Sequence, residues 1–311
     1  GRANYYASSF VSGSEYASIV VKTREGRPIK IEGNTESTIT QGGVNTQIQA
    51  SVLSLYDIAR RKKFSKNGAD ITRKAADKAI IKALKSAGKI AVVSESVISP
   101  TTNAAIAEFT SAFGSVDHIQ YDPISANGIV KANNGVFPNY RFAKADVVVG
   151  FSADFLGGWG SSIEYTRDYA AQRKVRRGKN AKSTMNKHYQ FETAMSLTGA
   201  NADERIAIKP SEEPFYIANL FNLVAKGTGN STLSAVQAVD NAQLKEAAKA
   251  LIAAKGKSLV VTSSNDEAVQ VLVRDINAML GNVGTTVDLE NALITKKGDD
   301  AKMNDFIKGV S

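Results

Sequence analysis

Apolar residues in this chain recur with two different periods. Continuous runs stand at Lys89–Ser94, at Val147–Val149 and at Lys257–Ser263. Unbroken Val- and Ile-rich runs of this length predict strands buried on both faces, as in a parallel sheet. Elsewhere the spacing is that of one helix face. Ala76, Ala79, Ile80, Ala83 and Leu84 form a stripe across Arg73–Lys85. Leu244, Ala248 and Leu251 do so in a helix capped by Asp240 and running to Ala254. Val269, Leu272, Val273, Ile276 and Leu280 do so from Asp266 to Leu280, where Gly281 is a suitable stop.

The remaining elements follow from local signals. Tyr16–Arg24 and Arg27–Glu32 read as a hairpin on the Glu25-Gly26 turn, with Pro28 favouring a strand start or an edge. A helix is expected from Ile48 to Arg61, then a polar loop through Asn67-Gly68. Pro100 opens a helix to Phe113, and Asp117–Tyr121 is a short strand, so Lys89–Tyr121 predicts a right-handed parallel crossover. Further helices are expected at Ile124–Lys131, Phe215–Ala225 and from Met303 onward. Arg205–Lys209 is a strand stopped by Pro210.

Composition narrows the chemistry. The chain has 311 residues, enough for one large α/β domain or two modest ones, with 43% hydrophobic residues and only 6 prolines. No apolar run reaches the roughly eighteen residues of a membrane span, and no signal-peptide pattern opens at Gly1. There is no cysteine, which excludes disulfides, thiolate-held iron–sulfur clusters and cysteine nucleophiles within these residues. Of the two histidines, His118 lies in a strand with no second ligand nearby and reads as structural. The net charge of +9 is compatible with nucleic acid, anionic lipid or an acidic partner.

The chemistry-bearing stretch is Ala145–Gly160. A strand ending at Gly150, a loop carrying Gly157, Gly158 and Gly160, and a following helix is where open α/β sheets place nucleotide phosphates. The spacing is neither G-x-G-x-x-G nor a P-loop, so an ordinary strand–helix connection with small residues is an equal reading. After it, Ser162–Lys187 is strongly basic, with Arg173, Lys174, Arg176 and Arg177 at its centre. A solvated helix face is the plain expectation. The functional one is docking to an acidic subunit or an anionic lipid surface, since no aromatic interleaving supports nucleic acid. Glu212 and Glu213 are expected to complement a helix dipole.

Gly26–Asn34 and Leu55–Arg60 together resemble the "G-R-P-x-K-x-x-G-N" hairpin and the following "L-Y-D-x-x-R" of molybdopterin oxidoreductase large subunits. Ala202–Pro210 resembles their "A-D-x-x-I-x-I-x-P", and Ile276–Gly284 their glycine-bearing turn. The departures are Asn45, where catalytic members hold a cluster cysteine, and Arg73, where they hold a tryptophan. In this the chain is similar to the molybdopterin-like subunit of alternative complex III, a bacterial respiratory quinol oxidoreductase.

The resemblance implies doubly wound, Rossmann-like, mostly parallel sheets with a small N-terminal β-hairpin region. The implied divisions are a hairpin region and lead-in helix over 1–70, a first α/β unit over 71–235 and a second, incomplete one over 236–311, in a chain that is part of a longer subunit. It implies no catalytic residue, no metal and no cofactor in these residues. Gly150, Ser152, Asp154, Gly157 and Gly158 would then mark a vestigial pocket. Iron–sulfur clusters would sit on the remainder of the subunit, and heme c on partner subunits beside a quinol-oxidising membrane subunit. The chain would be a peripheral subunit on the periplasmic face of a bacterial membrane. Two alternatives stand beside this: an active molybdopterin enzyme using another metal ligand, and a basic nucleic-acid-binding protein using Arg173–Lys187.

Overall fold

The structure, a computed structural model, describes residues 1–13, 15–174 and 185–310. Strands β1 (Asn4–Ser12), β2 (Glu15–Arg24) and β3 (Arg27–Gly33) form an antiparallel sheet in that order. Glu25 and Gly26 both take positive φ, 51° and 74°, the mirror-image turn that matches strand twist. The hairpin is as expected. β1 is additional, and being almost wholly exposed it carries no alternation by which to find it. Ala17, Ile19 and Ile31 of this sheet pack on Ile48, Val52 and Ile163.

Beyond the sheet, the expected helix to Arg61 is cut short. Helix α1 covers Thr46–Ala50 and a 3₁₀ turn Ser51–Leu55, with no regular structure over 56–63. Only Ile48 and Val52 reach a core, and Leu53 and Ile58 are exposed, so no apolar face sustains the helix. The expected polar loop is a hairpin, β4 (Phe64–Lys66) and β5 (Ala69–Ile71), turning on Asn67-Gly68.

Helix α2 (Arg73–Ser86) leads to β6 (Ile90–Ser94), α3 (Pro100–Phe113) and β7 (Val116–Gln120). β6 and β7 pair in parallel, as the expected crossover requires. Two expectations fail here. β6 is not buried on both faces, because its sheet has only two strands, and Val93 is 48% exposed. Likewise the α2 stripe buries Ala76 alone and leaves Ile80 57% exposed.

The chain continues as α4 (Asn127–Ala132), β8 (Phe137–Tyr140), β9 (Val147–Phe151), α5 (Ser162–Arg173) and β10 (Lys187–Glu192). Then come α6 (Leu197–Ala200), β11 (Glu204–Ala207), α7 (Glu213–Thr228), α8 (Ala242–Ala253) and β12 (Ser258–Thr262). The last elements are α9 (Glu267–Met279), β13 (Val287–Leu293) and α10 (Asp300–Val310). The central sheet is parallel throughout, in the order β11-β10-β9-β12. Residues 258–262, expected in a second unit, hydrogen-bond directly to β9, so one sheet spans the 235/236 division. All five residues of β9 and of β12 are buried. Val147, Val149 and Val260 meet α7, α8 and α9 on one side. Val148, Leu259 and Val261 meet an aromatic layer of Phe142, Phe155, Tyr165 and Tyr169 on the other. Asn241, not Asp240, caps α8 by accepting from Leu244 N at 2.8 Å, while Asp240 pairs with Lys245. The result is a mixed α/β fold with parallel sheets and a small antiparallel N-terminal region, as expected.

Candidate functional site

From β9 the chain steps outward to β10 and β11, then returns past β9 to lay down β12. The direction reverses between β9 and β12, and their C-terminal ends form the crest where such sheets bind ligands. Ser152, the residue after β9, is held at φ 51°. Its hydroxyl donates to Glu213 Oε2 at 2.5 Å, and the Thr262 hydroxyl at the end of β12 donates to Glu213 Oε1 at 3.0 Å. The Ser263 amide and hydroxyl close the seam onto the carbonyls of Phe151 and Ser152. The two carboxylates expected to act alike therefore divide. Glu212 accepts the Lys209 amide at 3.1 Å, whereas Glu213, the first residue of α7, ties the crest together. The positive end of that helix dipole thus already faces a carboxylate of its own chain.

The glycine loop is equally self-contained. Asp154 Oδ1 accepts from the amide and hydroxyl of Thr198 at 3.0 and 2.7 Å. The amides of Gly157, Gly158 and Trp159 all donate to the Asp154 carbonyl at 2.9–3.0 Å, and that of Leu156 to Thr198 Oγ1. Phosphate cradles need such amides aimed outward. Here four in succession are engaged within the chain, so the loop does not fit a phosphate-anchored nucleotide. Two glycines have steric reasons. A Cβ on Gly157 would lie 1.9 Å from Asp154 Oδ2, and one on Gly150 2.1 Å from Gln190 Oε1. Trp159 stacks on Tyr140 with ring centres 5.6 Å apart, fixing the loop against the aromatic layer.

Gly157 and Gly158 also border a cleft of about 890 Å³ between the glycine loop and the N-terminal sheet, whereas Gly150, Ser152 and Asp154 do not. Asn45 and Glu15 line it as well. Glu15 Oε1 accepts from the Ser162 hydroxyl at 2.7 Å, and Oε2 from Asn45 Nδ2 at 3.1 Å. Burial raises the Glu15 carboxyl above its ordinary value, with the Ser162 hydrogen bond opposing. Glu15 belongs to no motif and is missed in the sequence. Its signal is register: Glu15, Ala17 and Ile19 alternate inward along β2.

The part of the basic stretch described over 162–174 differs from the solvated helix face expected of it. α5 is not a solvated face, since Ile163, Glu164, Tyr165, Asp168 and Tyr169 are buried between sheet and N-terminal region. Arg173 turns inward, pairing with Asp203 at 2.6 Å and lying 5.1 Å over the Tyr169 ring. Lys174 is exposed; Arg176 and Arg177 lie outside the described residues. Beside this pair His188 is fully buried, with Nε2 3.2 Å from Gln190 Oε1 and Nδ1 3.0 Å from the Tyr169 hydroxyl. Desolvation lowers its pKa to about 4, so the ring is neutral. His118 Nε2 lies 2.8 Å from the Ser94 hydroxyl. Among the described residues no group of three or more His, Asp or Glu side chains is placed to share a metal ion, and no helix is long and apolar enough to cross a membrane.

A parallel sheet with a nucleotide-type crest thus lies across a cleft from a small antiparallel region, and the chain is similar as a whole to two proteins named for, or sharing, such an arrangement. No protein-family model matches the chain. It is 26% identical, over 91% of its length, to the menaquinone reductase, molybdopterin-binding-like subunit of Nitratidesulfovibrio vulgaris (strain Hildenborough). In fold it is similar to acetylene hydratase from Pelobacter acetylenicus, with a TM-score of 0.59 and 11% identity over 86% of the chain. The chain spans under half of either protein, 45% of the first and 42% of the second.

Proposed function

We propose that this chain is the non-catalytic α/β scaffold of an electron-transfer subunit in a quinone-linked, membrane-associated respiratory complex. The observation that carries the proposal is the closed crest. Glu213 sits on the seam between β9 and β12, the amides of residues 157–159 donate to the Asp154 carbonyl of their own loop, and that of Leu156 donates to Thr198. A nucleotide phosphate brought there would meet a fixed carboxylate, repulsive at short range, and four loop amides already engaged. The quinone link is drawn from the relative, which is named a menaquinone reductase subunit.

In this reading the complex is of the alternative complex III type. Iron–sulfur clusters belong to further parts of the subunit, heme c to partner subunits, and quinone chemistry to a membrane subunit. The chain is peripheral, on the periplasmic face. Purification of the native complex from membranes tests this assignment. The expected particle contains a quinone-reactive membrane subunit and heme c absorbance together with this chain. Recovery of the chain alone, turning over a substrate by itself, contradicts it.

A further inference from the structure

Of the two basic stretches in this chain, the one over residues 60–89 carries the larger net charge. Residues 60–89 hold eleven of the 39 basic residues and two of the 30 acidic ones, a net +9. That equals the net charge of the whole chain, leaving twenty-eight of each sign elsewhere. The segment comprises the β4–β5 hairpin and α2 with the residues flanking them, 60–63 and 87–89, and every Lys and Arg in it is exposed. Both acids are engaged within it, Asp70 with Lys63 at 2.5 Å and Asp77 with Arg73 at 3.7 Å. Lys74, Lys78, Lys82 and Lys85 run along α2 at helical spacing and form no ion pair among the described residues. They flank a shallow groove floored by Ile81.

Large apolar side chains are interleaved with this charge. Phe64 is 48% exposed, Ile80 57% and Ile81 50%. We infer that β4–β5 and α2 form a docking face for an anionic lipid bilayer. Three observations favour lipid over other anionic partners. An amphipathic helix with lysines beside exposed aliphatic residues matches the pattern that lies in a headgroup plane, the lysine stems reaching outward past the apolar groups. Eight of the eleven cations are lysines, point charges suited to a diffuse surface. Protein–protein interfaces are depleted in lysine and prefer arginine. A nucleic-acid backbone offers nothing to Phe64 or Ile81. The inference rests on charge and exposure alone and does not need the quinone-linked reading.

Flotation of the 311-residue chain with phosphatidylcholine vesicles, with and without phosphatidylglycerol, tests it. The chain floats with the anionic vesicles only, and high salt weakens the binding. The triple variant Lys74→Gln, Lys78→Gln and Lys82→Gln keeps its circular dichroism and binds roughly a hundredfold more weakly. The control triple Lys226→Gln, Lys249→Gln and Lys255→Gln removes equal charge elsewhere and binds within about twofold of the parent. Equal losses in the two triples, no flotation with anionic vesicles, or tighter retention on duplex DNA than on vesicles would each overturn the inference. A native complex lacking quinone activity would leave this result unaffected, so the two proposals fail separately.

Discussion

The Ser152 hydroxyl donates to the Glu213 carboxylate at 2.5 Å, joining the end of the central strand to the first residue of the helix that crosses back over the sheet. The Thr262 hydroxyl reaches the other oxygen of the same carboxylate from the neighbouring strand. One side chain therefore holds three elements at the point where the sheet reverses direction.

Removal of that carboxylate separates the three. Glu213→Ala leaves two crest hydroxyls without their acceptor, and hydrogen bonds to charged groups contribute about 1.5–3 kcal/mol each. A destabilisation of about 3 kcal/mol, the lower end of the sum for two such bonds, is expected in urea unfolding. Glu213→Gln, which keeps one acceptor, should cost about half as much. Unchanged stability in both variants would show that the crest is held by other contacts.

Gly150 tests the packing reason for a glycine inside a buried strand. A methyl group there would lie 2.1 Å from Gln190 Oε1, and Gln190 is itself buried against His188. Gly150→Ala should destabilise by about 1–3 kcal/mol, the usual cost of overpacking. Gln190→Ala in the same background should recover part of the loss. A neutral Gly150→Ala would mean that β9 and β10 do not approach as closely at this position.

His188 gives a pH dependence with a defined sign. Its pKa is lowered from 6.5 to about 4, chiefly by desolvation. The neutral ring is therefore favoured by folding. Its contribution is whole above pH 6.5 and is lost as pH falls toward 4, because the unfolded chain takes up the proton first. The loss is on the order of 3 kcal/mol. His188→Gln should flatten this part of the stability–pH curve, measured by urea unfolding between those limits. Parallel curves for parent and variant would refute the assignment.

The parts legible in the sequence share one property: their apolar residues face a core. The runs at Val147–Val149 and Lys257–Ser263 and the stripe through Val269, Val273 and Ile276 were identifiable because each is buried on the expected side. The same pattern misled at Ile80 and Val93, where helix and strand exist but their apolar faces look outward. Periodicity reports an amphipathic face, not what covers it. β1 and the end of the 48–61 segment were missed or overextended for the converse reason, having little buried surface to enforce a period.

For the site, sequence located the glycine loop but not its wiring. Gly157 and Gly158 were identifiable as loop residues. That their amides fold back on Asp154, or that Glu213 crosses to Ser152 from sixty-one residues away, is a tertiary fact. Arg173 was legible as a cation but not as the partner of Asp203, since net charge along a segment does not disclose which members are paired.

A nucleotide-type crest closed by the chain's own groups should hold no pterin nucleotide. Metal and pterin content of the subunit purified from its native membranes tests this most directly, by elemental analysis and by fluorescence of the oxidised pterin. Molybdenum and pterin fluorescence at background are predicted. A stoichiometric pterin with about one molybdenum per chain would contradict the account, because the crest and loop would then have to open to receive it.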